Sequence, residues 1–258
     1  MVSVHLLPAL IPSGALRGGV AVVIDVLRAS TTIAHALAHG CEAVLPCLEI
    51  DEARRIAADF PRGQALLGGE RRGEPIAGFD LGNSPGDYSA KACCGKTLVM
   101  TTTNGTKALL ACLDAETVLV GAFVNFAATV QRLIHEERPI HIVCAGTEGQ
   151  ISYEDSLLAG AFASRLADLE HDLANDQAEV VHGLWEHVDE SIRSYEDHGR
   201  RSGEEPPLVR YLKRGAGGRR VMELGLGDDI EIAATLNRDD CQVVVELARD
   251  PLRLVVSD

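Results

Sequence analysis

Aromatic side chains are scarce, at 4% of 258 residues, with a single tryptophan. So thin a supply excludes the aromatic platform on which bases of single-stranded nucleic acid stack. Positive charge is also short. Lysine and arginine number 24 against 38 aspartates and glutamates, giving a formal net charge of -14. That field opposes binding to nucleic acid or to an anionic membrane surface. An anionic ligand must therefore be captured by a few local cations or with the help of a metal ion. No apolar run approaches the ~18 residues of a membrane span, and Pro8 and Pro12 break the apolar patch near the N-terminus, which no basic segment precedes. The seven cysteines make no CxxC pair and the nine histidines no HxH or HExxH pattern. Disulfide frameworks and zinc clusters lose their signatures with them, and a cytoplasmic location is the simplest expectation. GxSxG, GxxxxGK[ST] and GxGxxG are missing too, so serine-hydrolase, P-loop and Rossmann readings have no motif to rest on.

What the chain does have is alternation. The β-branched run "VAVVIDV" (20–26) reads as a strand buried on both faces, and "STTIAHALAHG" after it as a helix with Ser30 or Thr31 as cap and Gly40 as stop. Strands follow at "CEAVLPC", "QALLGGE", 97–101, 117–120 and 140–146, with helices at 51–60, from 106, near 125–136 and across 156–167. This pattern predicts βαβ units, a largely parallel or mixed sheet and helices on both faces, in a single α/β domain over 1–258. The polar, helix-prone stretch 171–203 is expected to be a solvated helical insertion or lid. Between two strands lies "GGERRGEPIAGFDLGNSPGDYSA", without periodicity, and an irregular segment of that length in a compact domain is usually functional.

Ligands of open parallel sheets bind outside the carboxyl ends of the strands, so the residues after each strand are the candidates. After the first come Asp25 and Arg28; after "QALL", Gly68, Gly69, Glu70, Arg71 and Arg72; after "LVM", the run "TTTNGT"; after "IHIVCA", Glu154 and Asp155. Asp25 is costly to bury unless paired or metal-bound. It serves equally as a magnesium ligand or as a phosphoryl-accepting nucleophile, and the plain alternative is a salt bridge to Arg28 or a helix cap. Arg28 offers a planar charged fork for phosphate or sulfonate. Glu70 and Asp155 are the other carboxylates expected at a cation, with Asp155 equally a cap for the helix it precedes. "GFDLGNSP" supplies Asn83 and Ser84, an everyday turn composition raised in interest by its setting. Thr101, Thr102, Thr103, Asn104, Gly105 and Thr106 form either an ordinary strand-to-helix turn or a cradle of donors for an anion.

Together the blocks "DVLRASTT" (25–32), "GGERRGEPIAGFDLGNSP" (68–85), "TTTNGTKAL" (101–109), "GAFVN" (121–125) and "CAGTEGQISYEDSLLAG" (144–160), with a weaker "LGLGDDIEIAATLNRDD", resemble the 2-phosphosulfolactate phosphatases, the ComB family. The resemblance covers most of the chain outside 171–203. It implies a three-layer α/β/α fold and a Mg²⁺-dependent phosphatase converting 2-phosphosulfolactate to sulfolactate and phosphate, a step towards coenzyme M. On the chemistry of the residues, Mg²⁺ is expected on Asp25, Glu70 and Asp155. Arg28 is expected on an anionic oxygen, and the loop 101–106 is expected to donate hydrogen bonds to the others. Asp25 as nucleophile, through an aspartyl-phosphate, is the variant mechanism. Arg71, Arg72 and Lys107 are the candidates to meet the sulfonate and carboxylate. Another small phosphorylated acid as substrate, or a non-catalytic anion- or nucleotide-binding regulatory module, are the competing readings. A homodimer is the default assembly.

Overall fold

β-Branched and leucine-rich runs bounded by turn residues become ten strands, and the amphipathic stretches between them become helices. A computed structural model describes residues 1–197 and 204–257. In chain order the elements are β1 (Val2–His5), β2 (Val20–Ile24), α1 (Ala29–Ala38), β3 (Ala43–Pro46), α2 (Ile50–Ala58), β4 (Ala65–Arg71) and β5 (Glu74–Pro75). Then come α3 (Ala90–Cys93), β6 (Thr97–Thr101), α4 (Gly105–Ala111), β7 (Thr117–Gly121), α5 (Phe126–Leu133), β8 (Ile140–Cys144) and α6 (Tyr153–Asp168). The last part holds α7 (Asp176–Asp197), α8 (Pro207–Leu212), α9 (Ala216–Glu223), α10 (Gly227–Ala233), β9 (Val244–Arg249) and β10 (Leu252–Ser257).

The strands make one sheet in the order β1-β8-β2-β7-β9-β10-β3-β6-β4-β5. Within β1, β8, β2 and β7 the pairing is parallel, and again within β3, β6 and β4. Between the two blocks the β9–β10 hairpin pairs antiparallel with β7 on one side and β3 on the other. The sheet is therefore mixed, and along the ladder the two parallel blocks point in opposite senses. In a flat sheet their carboxyl ends would lie on opposite edges. Natural sheets twist by about 20–25° per strand, and the six steps from β2 to β4 then accumulate roughly 120–150° of rotation. In this protein the ends of β2 and β4 nonetheless meet, since Asp25 and Glu70 line one cavity.

Period-two alternation sorts the strand residues into two cores. Val20, Val22, Ile24, Ile140 and Ile142 pack with α6 and α7, whereas Ala21, Val23, Leu98 and Met100 pack with α1 and α4. Helices thus cover both faces, as expected of a three-layer α/β/α protein. No helix among the described residues is long and apolar enough to cross a membrane.

The polar stretch expected as a solvated insertion is helical over Asp176–Asp197, with 198–203 outside the described residues. It is not solvated all round. Ala178, Val181, Trp185 and Val188 are buried, spaced by three and four residues, and they pack on α6 through Gly160. A Cβ placed on Gly160 would come within 2.2 Å of the Val181 carbonyl oxygen and 2.8 Å of Trp185 Cβ. Gly160→Ala should therefore destabilise the protein in chemical denaturation by about 1–3 kcal/mol. That loss outweighs the ~1 kcal/mol that alanine gains over glycine in a helix. A stabilised variant would mean that α7 is only loosely applied to α6.

Candidate active site

Asp25 closes β2 and sits at the start of α1, where its Oδ1 accepts from the Ala29 N–H at 3.3 Å. The side chains that follow it are spent locally. Ser30 Oγ donates to the Asp25 carbonyl, Thr31 Oγ1 to the Val26 carbonyl and Thr32 Oγ1 to the Asn83 carbonyl. Arg28, at the N-cap of α1, makes no side-chain cap bond. Asp25 is buried, and burial first, then the neighbouring Glu70 carboxylate, push its pKa up to about 7. Its Oδ2 lies 2.8 Å from where a Cβ on Gly105 would sit, and Ala29 Cβ is at 2.7 Å. Only glycine lets α4 begin this close to the carboxylate.

Glu70 reaches the same place from β4. Gly69, at φ 131°, presses its backbone on β6, where a Cβ would fall 2.0 Å from the Thr101 carbonyl oxygen. Glu70 then accepts from the Thr103 N–H at 2.6 Å, the Thr103 hydroxyl at 3.0 Å and the Gly73 N–H at 2.7 Å. The carboxylate thereby ties the threonine loop to the tip of the β4–β5 hairpin.

A cavity of about 360 Å³ opens here, lined among others by Asp25, Arg28, Glu70, Arg72, Asn83, Thr103 and Asn104, with Gly217 and Val221 of α9 and Leu224 just after it as its far wall. Asn83 is buried, and its Oδ1 has no hydrogen-bond partner among the described residues. A larger hollow of about 830 Å³, lined by Leu208, Ile232 and Leu236 among others, takes in none of the site residues expected from the sequence.

Those residues divide into two groups. Asp25, Arg28, Glu70, Arg72, Asn83, Thr103 and Asn104 meet at the cavity. The others hold it from behind. Thr102 Oγ1 accepts from the Thr106 N–H at 3.1 Å, and the Thr102 N–H reaches Thr106 Oγ1 at 3.3 Å, a reciprocal cap on the start of α4. Thr101 is fully buried, with its hydroxyl donating to the Leu48 carbonyl and accepting from Arg71. Arg71 also binds the Leu48 and Glu70 carbonyls, so its guanidinium is consumed by the fold. Gly105 has no side chain and contributes closeness, and Ser84 turns its hydroxyl to Asp229. Lys107 is exposed on α4, away from the cavity lining.

Arg28 is not the partner of Asp25. Its Nη1 binds Asp229 at 2.7 Å and Ser84 at 3.2 Å, and its Nη2 binds the Gly73 carbonyl at 2.7 Å. A guanidinium carries five N–H donors, so these bonds leave Nε–H and one Nη2–H for a ligand while fixing the plane of the group.

Asp155 stands behind the cavity wall. It lies in the first turn of α6, which Ser152 caps by accepting from its N–H at 3.1 Å. Its two oxygens accept from the Val26 and Gly146 N–H groups at 2.9 and 3.0 Å. That bond pair staples the ends of β2 and β8 together. Burial, with Asp25 and Glu154 adding to it, raises Asp155 well above the usual carboxylate range. Among the described residues no group of three or more His, Cys, Asp and Glu side chains is arranged to hold a metal ion. Two carboxylates completed by water and phosphate oxygens suffice for Mg²⁺. Asp25 and Glu70, sharing one cavity, meet that requirement without Asp155.

Comparison with known proteins gives the family. The family model described as 2-phosphosulpholactate phosphatase matches residues 5–249. The chain belongs to the 2-phosphosulfolactate phosphatase family. Family membership places it among the phosphoric monoester hydrolases. Three relatives are named "Probable 2-phosphosulfolactate phosphatase". That of Parasynechococcus marenigrum is 45% identical, with 75% of this chain and 82% of the relative covered. That of Caldanaerobacter subterraneus subsp. tengcongensis is 37% identical, covering 85% and 84%. The Gloeobacter violaceus protein is also 37% identical, covering 92% and 91%.

Two residues of this family member were not singled out by sequence reasoning. Asp229, the buried partner of Arg28, comes from "LGLGDDIEIAA" on α10, 201 residues further along the chain. Its only local signal was a pair of acids opening an apolar helix. Arg220 on α9 clamps the hairpin tip through the Arg72 carbonyl at 3.3 Å and Glu74 at 3.2 Å, and one arginine in "GGRR" carries no local signal at all. Glu154, noted beside Asp155, is the carboxylate against which the start of α9 packs. A Cβ on Gly217 would fall 1.8 Å from its Oε1.

Proposed function

We propose that this chain hydrolyses 2-phosphosulfolactate, the phosphomonoester of a 2-hydroxy acid, to sulfolactate and phosphate, with Mg²⁺ held by Asp25 and Glu70. The observation that carries the reading is the pair of buried carboxylates facing one small cavity beside a pinned arginine. An anion-binding module would not gather acids around its ligand, since they repel it. Bound there, Mg²⁺ supplies Lewis-acid polarisation of the phosphoryl group.

The chain's own groups do the rest. Arg28, oriented by Asp229 and Gly73, directs its free N–H groups at a phosphoryl oxygen, electrostatic stabilisation that needs no rearrangement when the reaction occurs. The Asn83 amide presents a polar end that no protein group has claimed. Thr103 and Asn104 bound the cavity from the α4 side, and Val221 and Leu224 place apolar surface over it, which keeps bulk water from the reacting centre. The product would feed a route to coenzyme M.

Phosphate release from a panel of phosphorylated 2-hydroxy acids, with Mg²⁺ and with a chelator, tests the reading. Magnesium-dependent release, fastest from 2-phosphosulfolactate, is expected. No turnover on any member, with phosphate still bound tightly, would sink the enzyme reading in favour of a regulatory module.

A further inference from the structure

The cations around the cavity are not equivalent. Arg28 is neutralised by buried Asp229, and Arg220 pairs with Glu74 at 3.2 Å and Glu223 at 3.7 Å. Arg72 also lines the cavity, is exposed, and its guanidinium has no hydrogen bond or ion pair to the protein among the described residues. Its neighbour Arg71, by contrast, spends its guanidinium on three protein oxygens.

The position of Arg72 is also a costly one for an arginine. Arg71 faces Glu74 across the β4–β5 ladder, which leaves Arg72 and Gly73 as a two-residue hairpin loop. Both have positive φ, 53° and 85°, as the type I′ turn demands, and the residues that favour the first place are Asn, Asp and Gly. A long side chain held in the left-handed region at a site is a strain that function retains. The surroundings over-determine it. The Arg72 N–H donates to Thr103 Oγ1 at 3.1 Å, the Gly73 N–H to Glu70, and Arg220 holds the Arg72 carbonyl.

Charge balance supplies the reason. Asp25, Glu70 and Glu148 face the cavity, and a divalent cation on the first two meets only the phosphoryl end of a polyanionic substrate. We infer that Arg72, at the tip of the β4–β5 hairpin, binds the substrate's second acid group, a sulfonate or carboxylate, and so sets specificity for phosphorylated acids over simple phosphate esters. The identity of that acid rests on the reading above; the cation and its placement do not.

Arg72→Gly removes the charge and gives the turn the residue it favours. The variant should melt at or above the wild-type temperature. Its KM for 2-phosphosulfolactate should rise about 10- to 100-fold, the range of one charge-assisted hydrogen-bonded contact, and the effect should fall on KM rather than kcat. Arg72→Lys should recover part of the loss. Calorimetric binding of sulfolactate and of lactate to wild type and Arg72→Gly separates this inference from the activity. Weakened sulfolactate binding in the variant supports it even if no substrate turns over. A loss confined to sulfolactate assigns the contact to the sulfonate, and a loss shared with lactate assigns it to the carboxylate. Equal sulfolactate affinity in variant and wild type, no binding by wild type, or a fall in kcat with KM unchanged would overturn it.

Discussion

Asp25→Asn is expected to lower kcat for phosphate release by on the order of 10³-fold or more, the scale seen when a group acting directly on the reacting centre is neutralised. The fold should survive. Asparagine has the same shape, and its side-chain oxygen can still accept from the Ala29 N–H. Loss of turnover follows whether Asp25 holds the cation or attacks phosphorus. Acid quenching of the wild type during turnover separates the two roles, because only the nucleophile leaves phosphate on the protein. Wild-type turnover by the variant would remove Asp25 from the chemistry.

The same substitution should stabilise the protein at alkaline pH. Asp25 binds its proton more tightly folded, at about 7, than its ordinary 3.8. The stability this gives is fully present below pH ~4 and is lost as pH rises through about 7. Wild type should therefore lose stability between pH 5 and pH 8 relative to Asp25→Asn. The gap in melting temperature should be about 2–4 °C for each kcal/mol of carboxylate repulsion removed. Asp155 is shifted in the same direction, in part by Asp25 itself, so the difference reports Asp25 together with the relief it gives Asp155. Added Mg²⁺ should close the gap from the wild-type side. A gap that does not widen with pH would contradict the account.

The largest effect on stability is expected at Arg28. Arg28→Met leaves Asp229 a buried carboxylate without its counter-charge, and breaking such a pair from one side costs about 3–5 kcal/mol. In Arg28→Met/Asp229→Leu both charges are gone, and most of that stability should return in urea denaturation. Activity should not return with it. The two free N–H groups of Arg28 are lost in both variants, and removing one such donor costs about 10²–10³-fold in kcat. A double variant that recovers activity along with stability would make Arg28 a structural residue only.

Much of the architecture was legible because its signals are local. Runs such as 20–24 and 97–101 declare buried strands, and β-branched runs alternating with amphipathic ones declare layered α/β packing. The opposed sense of the two parallel blocks was not legible. It is set by the β9–β10 hairpin, whose place between β7 and β3 depends on partners more than 100 residues away. The site shows the same division. Asp25 and Glu70 stood out as acids at strand ends. Which threonines face the ligand did not, because Thr102 and Thr106, four apart, suit a helix cap as well as an anion cradle. The cap bonds between them decide it, leaving Thr103 on the cavity. Asp155 was ambiguous for a related reason. An acid near a helix start is the right residue for a metal and equally for two backbone N–H groups, and here the N–H groups of Val26 and Gly146 take it.

A crystal grown with Mn²⁺ in place of Mg²⁺ and with phosphate tests the central claim most directly, since anomalous scattering locates the metal without ambiguity. The account predicts one metal shared by the Asp25 and Glu70 carboxylates, with phosphate between it and Arg28. Metal and phosphate ordered elsewhere, with Asp25 and Glu70 left bare, would contradict it.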